Sequence, residues 1–315
     1  MTRAETAAFL REHDNYCILT HRRPDGDTIG SSAALCLALR ALGKTAWLLR
    51  NPQFTPRFAA VLDGLVCEDV PDEAVIVSVD VAAPDLLPIG QEALAERVEL
   101  VIDHHARSSV PAPRRLVEAE RAACGEIVFG LTEVLGIGLT ARMAEAIYIA
   151  VSTDTGCFQY SNTTADTLRI AAACVDAGAK IYPINKTFFG TKSFARLQLE
   201  SRLTGSVELY ADGKVALCAL PQAWLDELGV GEDDVDSISG FPRAIEGVEL
   251  GIMIRDVEDG KGKLSLRTSG TYDACKLCQE LGGGGHAAAA GATVAGGIEG
   301  AKRAILDVLR RKGII

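Results

Sequence analysis

The chain is poor in aromatic residues and in positive charge. Aromatic residues make up 5% of its 315 residues, and a groove that stacks successive bases of a nucleic-acid strand needs more of them. Lysine and arginine number 32 against 42 aspartates and glutamates, so the formal net charge is −10. Because attraction to long polyanions requires excess positive charge, the composition argues against long nucleic acids as partners. A small phosphorylated ligand in a local pocket remains compatible with it.

Long uninterrupted hydrophobic runs are also absent. The N-terminus, MTRAETAAFLREHDNY, carries charges throughout, whereas a signal peptide needs an unbroken apolar stretch. No other apolar run approaches the ~20 residues that cross a bilayer. The nine cysteines are scattered in mostly apolar contexts and are expected to remain free thiols in a chain without an export signal. These features predict a cytoplasmic protein that does not bind membranes.

The length and the hydrophobic patterning predict two domains. The first half alternates strand-like segments (NYCILTH, KTAWLLR, AVIVSVD, VELVIDHH) with helix-like segments, a pattern typical of an α/β fold with a mostly parallel, doubly wound sheet. After about Ala179 the pattern changes to hairpins and a final amphipathic helix. We therefore predict an α/β domain over residues 1–185, a connector helix over residues 186–204 and a smaller α+β domain over residues 205–315.

Acidic and histidine side chains follow the predicted strands, and one more ends a predicted helix. Because the carboxyl ends of parallel strands lie along one edge of a sheet, where open α/β folds bind ligands, these side chains should converge on one crevice. They are His21, Asp25 and Asp27 in HRRPDGD, Asp80 in AVIVSVD, Asp103, His104 and His105 in VELVIDHH, and Asp154 at the end of LTARMAEAIYIAVSTD.

Carboxylates this close together repel one another unless a cation neutralises them. Oxygen and imidazole ligands without a thiolate suit Mn²⁺, and also Mg²⁺, Fe²⁺ or Co²⁺. Five aspartates and several histidines are too many for one ion and about right for two. Each piece alone has a simpler explanation, since Pro-Asp-Gly-Asp is typical of a turn and an aspartate such as Asp80 can cap a helix. Their common position at the ends of buried elements favours the metal interpretation.

The motifs HRRPDGDTIGSS, SVD, VIDHH and STDTGCFQY, followed downstream by GGGGHAAAAG, resemble in order and spacing those of the DHH phosphoesterase superfamily. The last one resembles its DHH-associated C-terminal domain. The resemblance covers nearly the whole chain and extends to the bacterial NrnA-type oligoribonucleases, which also dephosphorylate 3′-phosphoadenosine 5′-phosphate (pAp). It implies two divalent metal ions bridged by Asp80, the first held by His21, Asp25 and Asp80 and the second by Asp27, Asp80, His104 and Asp154.

The same resemblance implies that Asp80, His104 and His105 form the catalytic centre. His105 lies next to a metal ligand and is free to contact phosphate or to protonate the leaving oxygen. Asp103 is expected to orient a histidine without binding the metal itself.

The second domain is expected to bind the substrate. Its glycine loop offers backbone N–H groups that can cradle a phosphate. A flexible loop that leads into an alanine-rich helix is an alternative explanation of the same segment. Two arginines end neighbouring strand candidates and can clamp a phosphate, or can simply be solvated strand ends. The resemblance favours Arg267, Ser269 and His286. The full set of predicted substrate-binding residues is Arg255, Arg267, Ser269, Gly284, Gly285 and His286.

Several positions depart from the family pattern or suggest other chemistry. Gln159, Ala287 and Ala288 stand where relatives often carry arginine, lysine and asparagine, which puts the preferred nucleotide in doubt. Cys275 and Cys278 have the spacing of a zinc half-site, but with no second pair they are expected to pack on one face of a helix.

Together these observations predict a metal-dependent phosphoesterase with two metal ions that activate a bridging water. Its expected substrates are pAp, cleaved to AMP, and oligoribonucleotides of about two to five nucleotides, cleaved from the 5′ end, with closure of the two domains selecting length. One alternative is a phosphodiesterase that acts on pApA or cyclic di-AMP. A second is a catalytically silent nucleotide sensor. A homodimer is compatible with the sequence, but no interface can be identified from it.

Overall fold

The computed structural model describes residues 1–235 and 238–315. The chain divides into two compact units, Met1–Thr191 and Lys192–Ile315. Each unit contains a six-stranded sheet and hydrophobic cores of its own.

The sheet of the first unit is entirely parallel, with the strand order β3-β2-β1-β4-β5-β6. Valine, isoleucine and leucine dominate the central strands, as expected for strands that are buried on both faces. The mostly parallel α/β sheet predicted from the sequence is therefore confirmed. The strands are β1 (Tyr16–Leu19), β2 (Ala46–Leu49), β3 (Val66–Cys67), β4 (Val75–Val79), β5 (Val98–Asp103) and β6 (Arg114–Val117).

The helices of this unit are concentrated over one face of the sheet, where they enclose its larger core. The opposite face is covered by short 3₁₀ segments, Pro84–Leu86 and Glu92–Arg97, and by loops. The helices are α1 (Arg3–Glu12), α2 (Gly26–Ala41), α3 (Ala59–Leu62), α4 (Cys124–Val134), α5 (Ala141–Asp154), α6 (Ala165–Asp176) and α7 (Ile181–Asn185).

Close packing of α2 and α4 against α5 depends on glycines. A Cβ atom at Gly30 would lie 2.3 Å from the Ala146 carbonyl oxygen, and one at Gly125 would lie 2.6 Å from the Ala150 Cβ. Since neither distance is compatible with a side chain, the two glycines allow the helix backbones to approach. This approach places the first turn of α2 next to the last turn of α5.

The second unit contains a mainly antiparallel sheet with the order β11-β12-β10-β9-β8-β7, in which only β8 and β9 are parallel. Both hairpins predicted from the sequence are present. The alanine-rich segment after the glycine loop is a strand rather than a helix, because it pairs with β10. The strands are β7 (Glu208–Tyr210), β8 (Val215–Leu220), β9 (Leu250–Val257), β10 (Lys261–Thr268), β11 (Gly284–Gly285) and β12 (Ala289–Ala295).

The segment 186–204, expected as one connector helix, has a different structure. Residues Lys186–Gly190 form a single π-helical turn that continues α7, and a new helix starts after Ser193, whose side chain accepts a hydrogen bond from the Arg196 N–H. Leu199 and Leu203 of that helix are buried in a core of the second unit. The helices of this unit are α8 (Phe194–Gly205), α9 (Gln222–Leu228), α10 (Glu232–Val235), α11 (Ala274–Gln279) and α12 (Gly297–Arg311).

Candidate metal centre

The strand order of the first sheet reverses between β1 and β4, which opens a crevice at the carboxyl ends of these strands. The loop after β1 enters this crevice from one side, and the residues after β4 and β5 enter it from the other. A cavity of about 250 Å³ lies here, lined by His21, Asp25, Asp80, Ala82, Leu86, His104, His105 and Asp154.

A first group of ligand atoms is formed by His21, Asp25 and Asp80. The His21 Nε2 atom lies 3.5 Å from Asp25 Oδ1 and 3.7 Å from Asp80 Oδ2. Asp25 is also the N-cap of α2 and accepts hydrogen bonds from the backbone N–H groups of Asp27 and Thr28. Potential ligand atoms of the three side chains all lie within 4.8 Å of one another, a spacing that can hold one metal ion.

A second group is formed by Asp27, His104 and Asp154. The His104 Nε2 atom lies 3.6 Å from Asp27 Oδ2 and 3.6 Å from Asp154 Oδ2. These three side chains also offer ligand atoms within 4.8 Å of one another. They come from the first turn of α2, the residue after β5 and the last residue of α5, so this group depends on the close packing of the two helices.

Asp80 joins the two groups. Its Oδ2 atom faces His21, and its Oδ1 atom lies 3.4 Å from His104 Nε2. The side chain is only 3% exposed, and its Oδ1 atom is buried without a hydrogen-bond partner among the described residues. The backbone of Asp80 has a φ of +61°, a left-handed conformation that is uncommon outside glycine and is concentrated at functional sites.

Backbone carbonyls orient both histidines. The His21 Nδ1 atom lies 2.8 Å from the Arg22 carbonyl oxygen, and the His104 Nδ1 atom lies 3.1 Å from the Arg121 carbonyl oxygen. A carbonyl oxygen only accepts, so Nδ1 carries the proton in each ring. The Nε2 lone pairs therefore face the carboxylates, which is the tautomer that a metal ligand needs.

His105 is oriented by Asp103. The His105 Nδ1–H donates to Asp103 Oδ1 at 2.8 Å, and the His105 backbone N–H donates to the same oxygen at 3.1 Å. Asp103 is fully buried. Because Nδ1 is occupied by this bond, the Nε2 atom of His105 is the one left for a ligand or a proton. Asp103 thus contacts His105 through both its ring and its backbone.

Asp27 lies against the N-terminus of α4. Its Oδ2 accepts the Cys124 N–H at 2.7 Å, and its Oδ1 accepts the Gly125 N–H at 3.0 Å and the Ser31 hydroxyl at 2.8 Å. The positive end of the helix dipole therefore stabilises the buried carboxylate. These contacts fix the direction of Asp27 towards His104.

The carboxylates of this centre disfavour one another's ionisation. Burial raises the pKa of Asp80 well above its usual value, and the nearby Asp27 and Asp25 carboxylates raise it further. Burial and the Asp27 carboxylate raise the pKa of Asp154 to about 8, although His104 opposes the shift. A cation would remove this repulsion. Together with the unpartnered oxygen of Asp80 and a donor set of carboxylate oxygens and imidazole nitrogens, the electrostatics fit divalent metal ions.

Five of the residues predicted to bind substrate lie near one end of the second sheet. Arg267 is the penultimate residue of β10, where its guanidinium donates to Ser239 Oγ at 3.2 Å, and Ser269 follows this strand. The Thr268 N–H donates to the Ala288 carbonyl oxygen at 2.9 Å, which ties the end of β10 to the glycine loop. Gly284, Gly285 and His286 of this loop are exposed.

Arg255 lies apart from this group, contrary to the expectation that it shares a phosphate with Arg267. In the antiparallel register of β9 and β10, Arg255 is opposite Lys263, whereas Arg267 is opposite Gly251. The four-residue offset separates the two arginines by about 13 Å along the strands. Two arginines that each end a strand lie at opposite ends of a hairpin, because its strands run in opposite directions.

The structure also places the residues that depart from the family pattern and the two closely spaced cysteines. Gln159 is exposed after α5 and does not line the cavity, and Ala287 and Ala288 are exposed in the glycine loop. Cys275 and Cys278 lie in α11, with Cys278 buried in the core of the second unit. Among the described residues, no helix is long and apolar enough to cross a bilayer.

Asn51, two residues after β2, belongs to no motif in the sequence but supports the loop of His21. Its buried side-chain amide donates to the His21 carbonyl oxygen at 2.8 Å and to Thr20 Oγ1 at 3.1 Å. Its Oδ1 accepts the Gln53 N–H, and Gln53 Oε1 in turn accepts the Arg23 N–H at 2.9 Å. This chain of bonds holds the loop that carries His21. The one signal in the sequence is a polar residue two positions after a buried strand.

Comparison with known proteins identifies the family of the chain. Residues 15–151 match the DHH family, N-terminal domain, and residues 212–312 match the DHHA1 domain. The chain is 33% identical over 301 residues to the bifunctional oligoribonuclease and PAP phosphatase NrnA of Thermus thermophilus, an alignment that covers 94% of this chain and 89% of that protein.

Solved structures share the fold. The crystal structure of an exopolyphosphatase-related protein from Bacteroides fragilis has a TM-score of 0.88 at 24% identity and covers 98% of this chain and 96% of its own. RecJ of Thermus thermophilus in complex with Mn²⁺ has a TM-score of 0.55 at 16% identity, over 98% of this chain and 55% of its own. The chain therefore belongs to the DHH family, and its second unit carries a DHHA1 domain.

Proposed function

We propose that this protein is a metal-dependent phosphoesterase that hydrolyses short oligoribonucleotides to nucleoside 5′-monophosphates and pAp to AMP. The observation that carries the proposal is the pair of ligand groups that meet at Asp80. The relative from Thermus thermophilus is an oligoribonuclease and PAP phosphatase by name and is aligned over 94% of this chain. Family membership and geometry therefore support the same reaction.

We assign the first metal ion to His21, Asp25 and Asp80 and the second to Asp27, Asp80, His104 and Asp154. Mn²⁺ is the favoured ion, because carboxylate and imidazole ligands without thiolate suit it. Bound here, two divalent ions would supply a nucleophile at neutral pH and balance charge on the attacking and leaving oxygens.

Side chains of the protein orient the metal centre and can donate a proton to the leaving oxygen. Asp103 holds His105 through Nδ1, so His105 Nε2 is available to contact the phosphate or to give a proton to the leaving oxygen. In the second unit, Arg267, Ser269 and His286, together with the N–H groups of Gly284 and Gly285, bind the phosphate or sugar that is not cleaved. Arg255 takes no part in that contact.

We also propose a cellular location and a substrate class for the protein. It acts in the cytoplasm on short oligonucleotides and small phosphorylated nucleotides, and the net charge of −10 disfavours long nucleic acids. A homodimer remains a prediction, which sedimentation of the purified protein would test.

The direct test is turnover of pAp and of a 5′-phosphorylated diribonucleotide by the purified protein, with Mn²⁺ and with EDTA. We expect activity with Mn²⁺ only. Asp80→Asn should lower kcat by at least about a thousandfold, because the variant loses the carboxylate that would hold both ions, while its circular dichroism remains that of the wild type. Asp176→Asn, the same substitution at an exposed aspartate at the end of α6, serves as the control.

Wild-type turnover that persists in EDTA would contradict the metal-dependent mechanism. An active Asp80→Asn variant would contradict the assignment of Asp80 as a bridge. Binding of pAp without turnover in any metal would favour a nucleotide sensor.

A further inference from the structure

We propose that Arg22 and Arg23 form a phosphate-binding lip at the mouth of the metal centre that sets affinity for the nucleotide substrate. This inference rests on the proposed function and concerns two residues outside the metal ligands. Throughout, "arginine lip" means these two residues.

The backbone of the arginine lip adjoins two residues that line the cavity. Arg22 and Arg23 follow His21, which lines it, and the Arg22 backbone N–H donates at 2.6 Å to the carbonyl oxygen of Leu86, a second lining residue. The backbone of the lip is therefore fixed between two walls of the cavity.

The side chains of the lip are available for a ligand. Both arginines are exposed, and neither guanidinium makes a hydrogen bond or ion pair within the part of the chain that the structure describes. Elsewhere in this acidic chain arginines are commonly paired, as Arg3 is with Glu118 and Arg50 with Glu68. Two unpaired guanidinium groups on a segment that adjoins the cavity point to an anionic ligand.

The lip is held in an unfavourable backbone conformation. Arg23 has a φ of +50°, a conformation that costs free energy for a residue with a side chain. The bond from its N–H to Gln53, and through Gln53 to the buried Asn51, maintains it. A strained segment that the surrounding structure holds in place is typical of a binding site.

Electrostatics explain why a lip is needed. The metal centre contains four aspartates, at positions 25, 27, 80 and 154, and two divalent ions would just balance their charge. A neutral centre in a chain with a net charge of −10 has little long-range attraction for a phosphate ester. Two guanidinium groups at the mouth supply that attraction and can bind phosphate oxygens bidentately.

The size of the cavity places the rest of the substrate over its mouth. Its volume of about 250 Å³ lies below the ~300–1,000 Å³ of ordinary small-molecule sites. In the proposed binding mode the cavity holds the reacting phosphate, and the lip contacts the remainder of the nucleotide.

The test compares Arg22→Ala and Arg23→Ala with Arg97→Ala. Arg97 is an exposed arginine just before β5 and so lies at the opposite edge of the sheet. For pAp and a diribonucleotide, we expect each lip variant to raise KM about tenfold, the size of one charge-assisted hydrogen bond, with kcat within about twofold of the wild type. The increase of KM with NaCl should also be smaller in the double variant. Arg97→Ala should behave as the wild type.

A second measurement separates failure of the lip from failure of the proposed function. Isothermal titration of the Mn²⁺-loaded protein with a phosphorothioate-linked diribonucleotide reports binding without turnover, and the lip variants should bind it about tenfold more weakly. Affinity and KM within twofold of the wild type in the double variant would overturn the lip. A loss of activity confined to kcat would also overturn the lip. A wild-type protein that binds this probe through the lip but hydrolyses no substrate would contradict the proposed function alone.

Discussion

At the scale of single residues, the centre is a set of buried carboxylates that need a cation. Asp80 and Asp154 hold protons more tightly than free carboxylic acids, because burial and neighbouring carboxylates disfavour their charged forms. Metal binding at such a site displaces those protons, so metal affinity and folding stability both depend on pH.

We expect the metal-free protein to lose stability as pH rises. The folded-state pKa of Asp154 is about 8, whereas an unfolded aspartate titrates near 3.9. The contribution of its protonated form to stability is thus complete below about pH 4 and is lost as the pH rises through 8. In EDTA, Asp154→Asn should therefore be more stable than the wild type at pH 8, by about 1–3 kcal/mol, and the difference should be smaller at pH 5.

Thermal unfolding at the two pH values measures this effect. Asp176→Asn, an exposed aspartate at the end of α6, is the control and should change stability little at either pH. A wild type that is equally stable at pH 5 and pH 8 in EDTA, with no gain from Asp154→Asn, would contradict the electrostatic account of the centre.

At the scale of elements, the positions of the proposed metal ligands were easier to predict from the sequence than contacts between elements. His21, Asp80 and His104 follow apolar strands with clear boundaries, so their convergence could be inferred from the rules of parallel sheets. Strand β6 begins with two arginines, and β3 has two residues; neither shows the apolar pattern that identifies a strand.

Elements that depend on tertiary pairing were missed or misplaced for a physical reason. The segment Ala289–Ala295 has a helical composition, but its backbone pairs with β10, and such pairing overrides local propensity. The separation of Arg255 from Arg267 follows from hairpin register rather than from composition. The bond from Asn51 to the His21 carbonyl joins residues 30 apart in sequence, and no local pattern encodes it.

Packing of α2 against α5 should control metal binding. Gly30→Ala would place a Cβ 2.3 Å from the Ala146 carbonyl oxygen, and the helices would have to separate. We expect a loss of about 1–3 kcal/mol in the free energy of unfolding, as for other overpacked cores, together with weaker Mn²⁺ binding, because these helices carry Asp27 and Asp154.

Denaturant unfolding and titration calorimetry test this expectation. Gly205→Ala is the matched control, since Gly205 is also helical but a Cβ there meets nothing within 4 Å. A Gly30→Ala protein with wild-type stability and wild-type Mn²⁺ affinity would contradict the importance of this contact.

At the scale of the whole molecule, each unit has its own sheet and core, and all the proposed metal ligands lie in the first unit. We therefore expect a fragment of residues 1–191 to unfold cooperatively and to bind Mn²⁺ by calorimetry. It should hydrolyse pAp poorly, because Arg267, Ser269 and His286 are absent from it. A fragment that fails to fold, or that hydrolyses pAp as fast as the full chain, would contradict the assignment of metal binding to the first unit and of substrate binding to the second.

The central claim is metal-dependent hydrolysis confined to short substrates. The measurement that tests it most directly is the turnover of end-labelled RNA from two to twenty-four nucleotides, beside pAp and pApA, with Mn²⁺ and with EDTA. The account predicts Mn²⁺-dependent kcat/KM values that are high for pAp and the shortest RNAs and that fall by at least about tenfold for the longest. Equal turnover at every length, or activity on pApA alone, would contradict it.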